Sequence, residues 1–441
     1  MRISFLFICC FLSTVGFAQP NWAAIKVNAT FQIPDTNYYS PELLPIHVGG
    51  WEDGLYITRD GKHLFSTYIP VDITSWLSDF APCIDFNPYY RPPLLGIDTV
   101  TNPFGCNNYM QSDIVKAERN SINDNFNPWH SSNLQTPVTF EGGACGVLNA
   151  TQDSFDVFVF TQDNGITATD IMLLQNVGLN PDPSQAQSIL VTSGMEDNPH
   201  IERLENGDLL LLFDRDRYMH YTLSSDNGQT WQTPVQITQV LNDQAPYDVQ
   251  PHLWNDGTGW WVYFSADNAN GIRCIYKSKQ LIANDWDSWG ARELVVEPNF
   301  VIDTLGYIYG VGEPTLTAAG DLAFVVVYGN HNSTDTTDVF DCDPWLLKRK
   351  TPIQTSVQKN LAETKAWSFY PNPAKETIQF NGIEGIESIS IYNALGQLVK
   401  VVHLQNSTKN LEMDISNWPS GSYFLKPDNN TYAVQKLIIV D

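Results

Sequence analysis

Three short segments carry the residue types with the most chemical potential. Each places a carboxylate or amide side chain directly before a proline: Asn198-Pro199, Gln250-Pro251 and Glu313-Pro314. Set in register on the proline, they bring Asn198, Gln250 and Glu313 to equivalent positions. His200 and His252 follow immediately, and Glu196, Asp197 and Asp248 lie within three residues. A fourth copy, Trp51-Glu-Asp-Gly54, has a glycine turn in place of the proline; its alignment puts Glu52 at the shared position, with Asp53 beside it. Gathered carboxylates suit the hydrolysis of a glycosidic bond. One protonated acid delivers its proton to the leaving oxygen, while an ionised partner activates water or attacks the sugar. Crowding of like charges holds the acid protonated. The catalytic candidates are therefore Glu313, Asp53, Glu52, Asp197 and Asp248, with His200, His252, Asn198 and Gln250 as substrate-binding candidates. Glu313 and at least one other acid are expected in one pocket, with carboxyls roughly 5–9 Å apart. A second expectation competes with this one. Acids at strand starts also cap backbone groups, histidines bond across strands, and an oxygen-rich rim could take Ca²⁺. The chemistry requires no cofactor, and two histidines alone define no metal site.

These segments belong to a longer repeat. Glu196–Phe213, Asp248–Phe264, Gly312–Val327 and Trp51–Phe65 each combine an acidic or amide residue, a short strand, a Gly turn and a strong apolar strand. A weaker copy begins near Gly142 and runs through Phe155–Phe160. Strand-only repeats of this length predict propeller blades. The predicted fold class is all-β: a β-propeller, then a small C-terminal β-sandwich. Five blades are expected at 41–135, 139–190, 195–240, 246–297 and 308–350, or six if the insertion around Pro70–Trp129 holds another. Residues 22–33 are expected to add an outer strand that closes the ring. Inner strands of a propeller all start at one end of the central channel, so equivalent positions converge there.

Ser224-Ser-Asp-Asn-Gly-Gln-Thr-Trp231 resembles the Asp box of sialidase-type propellers, a fold marker in which Asp226 caps backbone donors and Trp231 packs between strands. Asp53–Phe65 is similar to a TolB-type blade repeat. The carboxylate pattern resembles five-bladed glycoside hydrolases of the arabinanase type. That resemblance implies Asp53 or Glu52 as base, Asp197 or Asp248 as the residue tuning the acid, and Glu313 as acid. Here Glu313 runs directly into Pro314, and blade 1 reads Glu-Asp-Gly where the family would have Asp-Pro. Sialidase chemistry is not expected, because no blade-equivalent arginine trio is present.

The C-terminal residues carry a different message. Trp367-Ser-Phe-Tyr-Pro-Asn-Pro-Ala374, Ile391–Lys400, Trp418–Leu425 and Lys436–Asp441 occur in order, with period-2 strands at 377–380, 388–391 and 398–402. This region resembles the C-terminal sorting domain of the type IX secretion system of Bacteroidetes-type bacteria. It implies export through the periplasm to the outer cell surface or medium, with residues 367–441 engaging the secretion machinery. Residues 1–18 read as a signal peptide, 19–350 as the propeller and 351–366 as a polar linker. No later stretch is long and apolar enough for a membrane helix.

The chain of 441 residues has a net charge of -25, and the sorting region contributes little of it, with five Lys against seven Asp or Glu. An acidic body argues against nucleic acid. Thirteen Trp and nineteen Tyr fit contact with an extracellular glycan, the expected partner, or the packing of a large β-protein. Cys83 and Cys106 are the expected disulfide pair. Two functions are carried forward: a secreted carbohydrate-active propeller that hydrolyses a glycan, and a non-catalytic propeller that binds glycan or protein.

Overall fold

The computed structural model describes residues 21–69, 112–134, 141–163, 169–190, 194–238, 241–242, 248–299, 306–330, 339–350, 367–383, 385–393, 398–404, 410–428, 432 and 435–440. The chain divides into two compact units, Met1–Thr355 and Ser356–Asp441. The signal peptide, the Cys83–Cys106 pair and the 351–366 linker lie outside the described residues.

In the first unit, apolar strands separated by Gly, Asn and Asp turns pair with their sequence neighbours, giving five antiparallel sheets among the described residues; residues 70–111 of the insertion, where a sixth blade was the alternative, lie outside them. Blade 1 is Trp51–Ile57, His63–Ile69, Asp113–Glu118 and His130–Ser131; blade 2 is Glu141–Leu148, Ser154–Asp163, Thr169–Gly178 and Gln187–Leu190. Blade 3 is Glu196–Arg203, Leu209–Arg215, Tyr218–Ser224 and Val235–Gln236; blade 4 is Val249–Asn255, Trp260–Asp267, Arg273–Lys279 and Glu293–Pro298. Blade 5 is Tyr307–Leu316, Leu322–Asn330 and Val339–Leu347, with Glu42–Leu43 as its outermost strand.

The N-terminus departs from expectation. Trp22–Val27 is a short helix, capped where Asn21 Oδ1 accepts the Ala24 N–H at 3.2 Å. It buries Ile25 in the core of blades 4 and 5, and Lys26 reaches Asp341 and Asp343 at 2.8 and 2.7 Å. Only Phe31–Gln32 forms the expected outer strand, on blade 4. The ring is closed by Glu42–Leu43, which joins blade 5 where the sequence placed the start of blade 1.

One irregularity recurs in every inner strand. The register breaks at Asp53/Tyr56, Gly142/Cys145, Asp197/His200, Val249/His252 and Gly312/Thr315, each time with two residues opposite one. These are β-bulges. Their first residues, Gly54, Gly143, Asn198, Gln250 and Glu313, all adopt positive φ, between 50° and 62°. At Gly54 a Cβ would also lie 2.2 Å from Thr67 Oγ1. The second residues are Leu55, Ala144, Pro199, Pro251 and Pro314. Proline fits there because a bulged residue leaves the hydrogen-bond ladder.

Below the bulges the channel is closed by Arg59. Its guanidinium donates to Glu202 of blade 3, to Leu253 O of blade 4 and, at 2.9 Å, to Leu316 O of blade 5. It also lies 3.0 Å from His252 Nε2. One side chain from blade 1 thus ties three other blades together. Removing one partner of a mostly buried pair strands the other charge. Arg59→Met should therefore destabilise the propeller by about 3 kcal/mol, read as a lower midpoint of its calorimetric transition.

The second unit is a β-sandwich. Ser368–Tyr370, Thr377–Asn381 and Asn410–Asp414 form one sheet; Leu398–His403, Ser388–Asn393, Gly421–Pro427 and Gln435–Ile439 form the other. Alternate residues point inward, so Ile378, Phe380, Ile389, Ile391, Leu425 and Leu437 share a core with Trp367 and Phe369.

Candidate functional site

The bulges decide which inner-strand side chains meet at the channel. Blade 1's equivalent of Asn198, Gln250 and Glu313 is Gly54, not Glu52. Asp53 therefore matches Asp197, one residue before the bulge, and Glu52 matches Glu196 and Asp248, two before it. That offset sorts the candidates into two sets.

The residues two before the bulge turn away from the mouth. Glu52 is fully buried, and its Oε1 accepts from Val48 N and Trp129 Nε1, both at 2.9 Å. Asp248 is 1% exposed, paired with Arg292 and bonded by the Asn242 N–H at 2.6 Å. Glu141 and Glu196 in blades 2 and 3 behave alike, taking Gln162 Nε2 at 3.0 Å and Arg215 Nε at 2.7 Å. The structure therefore does not bring Glu52 and Asp248 to the mouth with the other catalytic candidates: each is buried and bonded to neighbouring side chains and backbone. Burial, then the charges of Asp343 and Asp341, push Glu52 well above the usual carboxylate range.

Asp53, Asp197 and Glu313 are brought together. Asp53 Oδ2 accepts the Trp51 indole N–H at 2.5 Å. Loss of hydration raises its pKa to about 7, against that bond and with a further push from Asp197. Asp197 is exposed as a residue, yet loss of hydration around its carboxyl raises it against the Asn198 N–H, which it takes at 2.8 Å. Glu313, 8% exposed, accepts from Gln250 Nε2, while its own N–H points to Gln250 Oε1 at 3.3 Å. Burial, then the charges of Asp53, Asp197 and Asp214, hold Glu313 well above its usual value; Arg273 opposes them.

Asp214, which the repeat alignment passes over, is the fourth member. It lies in the second strand of blade 3, is 3% exposed and is pushed up to about 8, chiefly by burial. The available signal was a lone acid ending the run Leu209-Leu-Leu-Leu-Phe213. A cleft of about 180 Å³ adjoins Asp53, Gln250 and Glu313; Trp51, Tyr309 and Arg273 also line it. Tyr309 is 56% exposed.

Asn198 and Gln250 lie on the bulges beside Glu313 and Asp214, where their side-chain amides donate to Asp214 and Glu313 respectively. His200 and His252 lie deeper, each 3% exposed, with ring centroids 4.1 Å apart. His200 faces Cys145 Sγ at 3.6 Å through Nδ1 and Glu202 at 3.5 Å through Nε2. His252 Nε2 accepts the Leu316 N–H at 3.0 Å. Burial lowers both pKa values, so these rings are neutral floor residues. Cys145, Cys274 and Cys342 are free and buried. Among the described residues, no group of three or more His, Cys, Asp or Glu side chains is arranged to hold a metal ion.

Among the described residues, fold and site thus form a propeller of five blades with a carboxylate-lined channel mouth, followed by a β-sandwich. Residues 368–441 match the secretion system C-terminal sorting domain, so this region is the type IX sorting domain. The chain is exported through the periplasm to the cell surface or medium. No helix among the described residues is long and apolar enough to cross a membrane. No curated protein matches the chain. The propeller is similar to solved structures at low identity. The catalytic domain of a Coprinopsis cinerea GH62 alpha-L-arabinofuranosidase is 8% identical, covering 71% of this chain and 98% of that one, with a TM-score of 0.43. A GH62 hydrolase in complex with xylotriose is 9% identical, covering 72% and 94%, at 0.40. A GH43 endo-arabinanase from Bacillus licheniformis is 9% identical, covering 68% and 96%, at 0.38.

An acid whose pKa is raised on folding stabilises the protein at low pH and loses that contribution as pH climbs to the folded value. For Asp53 and Asp214 this window runs from the ordinary aspartate value of 3.8 to about 7 and about 8. The propeller melting temperature should fall across that range, and Asp53→Asn should flatten the fall. Calorimetry from pH 4 to 9 measures both.

Proposed function

We propose that the propeller hydrolyses an extracellular glycan, with Glu313 as general acid and Asp53 as the base or nucleophile. The observation that carries this reading is the Glu313 carboxyl, buried on a left-handed bulge yet surrounded by three other carboxyls. A non-glycine residue with positive φ stores strain of about 1 kcal/mol, and like charges add to it. Such a placement favours a protonated acid at neutral pH, ready to protonate a leaving oxygen. Asp53 keeps one oxygen free of the Trp51 indole and is ionised in a useful fraction near neutrality. Asp197 adds negative charge that raises the Asp53 and Glu313 pKa values. The Trp51 and Tyr309 rings beside the carboxyls offer flat apolar faces to a sugar. Water is the only co-reactant, and protein carboxyls supply the acid and base.

The test is release of reducing ends from a panel of plant and bacterial polysaccharides. Wild type should cleave at least one of them, and Glu313→Gln should lose about a hundredfold or more in kcat/KM. The pH profile should rise as Asp53 ionises at about 7 and fall where Glu313 gives up its proton. Retained glycan binding with no product from wild type would replace this reading with the non-catalytic one.

A further inference from the structure

Asp214 sits in the second strand of blade 3, directly across from Asp197. At the same step the second strands of the other blades carry Thr67, Thr161, Ser265 and Val325. This position has a structural task. Thr67 Oγ1 accepts the Gly143 N–H at 3.0 Å, so a residue of blade 1 anchors the bulge of blade 2. Asp214 does the same one step on: its Oδ2 accepts the Gln250 N–H, the bulge of blade 4, at 2.8 Å. A hydroxyl suffices between blades 1 and 2, so the linkage itself needs no charge. The charge is also costly, because like charges directly opposite each other on paired strands repel.

The same oxygen makes a second bond. Asp214 Oδ2 accepts Asn198 Nδ2 at 2.8 Å, so it holds the bulges of its own blade and the next. Gln250 then passes the constraint on, since its side-chain amide donates to the Glu313 carboxyl and accepts from the Glu313 N–H. Three blades are joined in one chain: Asn198 to Asp214, Asp214 to Gln250, Gln250 to Glu313. Gly312 leaves room for it, because a Cβ there would come within 3.0 Å of Gln250 Oε1. The other oxygen of Asp214, Oδ1, is buried and has no hydrogen-bond partner among the described residues.

We propose that Asp214 is a positioning residue for the Glu313 carboxyl, acting through the Gln250 bulge and amide. The proposal rests on the hydrolase reading for its consequence in turnover. The charged groups acting with it on Glu313 are Asp53 and Asp197, which oppose ionisation, and Arg273, which favours it. Asp214 belongs with the first two, and its own ionisation is opposed by burial and by Asp197.

The test is Asp214→Thr in the full chain, the residue blades 1 and 2 use at this step. The hydroxyl can still accept the Gln250 N–H, while the charge and the second bond are lost. Glutamate labelled with ¹³C at the carboxyl reports Glu313 directly, as the resonance missing from Glu313→Gln. Its titration should move to lower pH by on the order of one unit in Asp214→Thr. On a glycan that wild type cleaves, kcat should fall on the order of a hundredfold, with KM retained and the basic limb of the pH profile displaced in the same direction. An unmoved Glu313 titration in a folded variant would overturn the proposal and leave Asp214 a structural acceptor. If Asp214→Thr does not fold, Asp214→Asn, whose amide oxygen keeps both acceptor bonds, removes the charge alone: the Glu313 titration should still move to lower pH, and an unmoved titration would overturn the proposal. Absence of hydrolysis by wild type would overturn the hydrolase reading alone, and the carboxyl titration would still decide the coupling.

Discussion

At one step of each inner strand the backbone turns left-handed and sets two residues against one. Everything at the channel mouth depends on that bulge. It is what separates Asp53 from Glu52, although the two are adjacent in sequence: one meets Asp197 and Glu313, the other is sealed against Trp129 and Val48. The first two bulges have glycine, which takes the conformation without strain. The last three have Asn198, Gln250 and Glu313, which do not. Backbone strain of this kind clusters at active sites, which is why these three positions enter the proposed function.

The mouth and the floor of the channel differ in electrostatic character. At the mouth, carboxyls crowd one another and all are raised. At the floor, Arg59 meets Glu202 and three blades, and the two histidines stay neutral. A mouth that repels itself destabilises the ring, and Arg59 offsets part of this. Lys26 plays a comparable part at the seam between blades 5 and 1, where Asp341 and Asp343 stand beside Glu52. The N-terminal segment is therefore part of the propeller: it supplies this cation and the strand that closes blade 5.

Much of this was legible in the sequence. The Pro at 199, 251 and 314 marked the bulges, because proline is tolerated in a strand where the ladder is broken, and so Asn198, Gln250 and Glu313 fell into true register. The period-2 runs of the sorting domain likewise appear as strands. Blade 1 misled because Gly54-Leu55 does the same work without proline, and the alignment slipped by two residues onto Glu52. Asp248 misled because distance along the chain does not say which way a side chain turns when a bulge intervenes. Asp214 was passed over for another reason. Its position repeats across blades only through strand pairing, as Thr, Thr, Ser and Val elsewhere, and no inner-strand pattern reports it. The helix at Trp22–Val27 was missed because six residues are too few to show a period.

The sorting domain accounts for delivery, and the proposed chemistry would rest on the propeller mouth. The central claim is that the bulge assigns neighbouring acids to different tasks, and the most direct measurement compares Asp53→Asn with Glu52→Gln on a glycan the wild type cleaves. The account predicts that Asp53→Asn abolishes turnover in a protein that melts no lower than wild type. It predicts that Glu52→Gln keeps its turnover per folded molecule. Equal loss of turnover in both, or loss in Glu52→Gln alone, would contradict it.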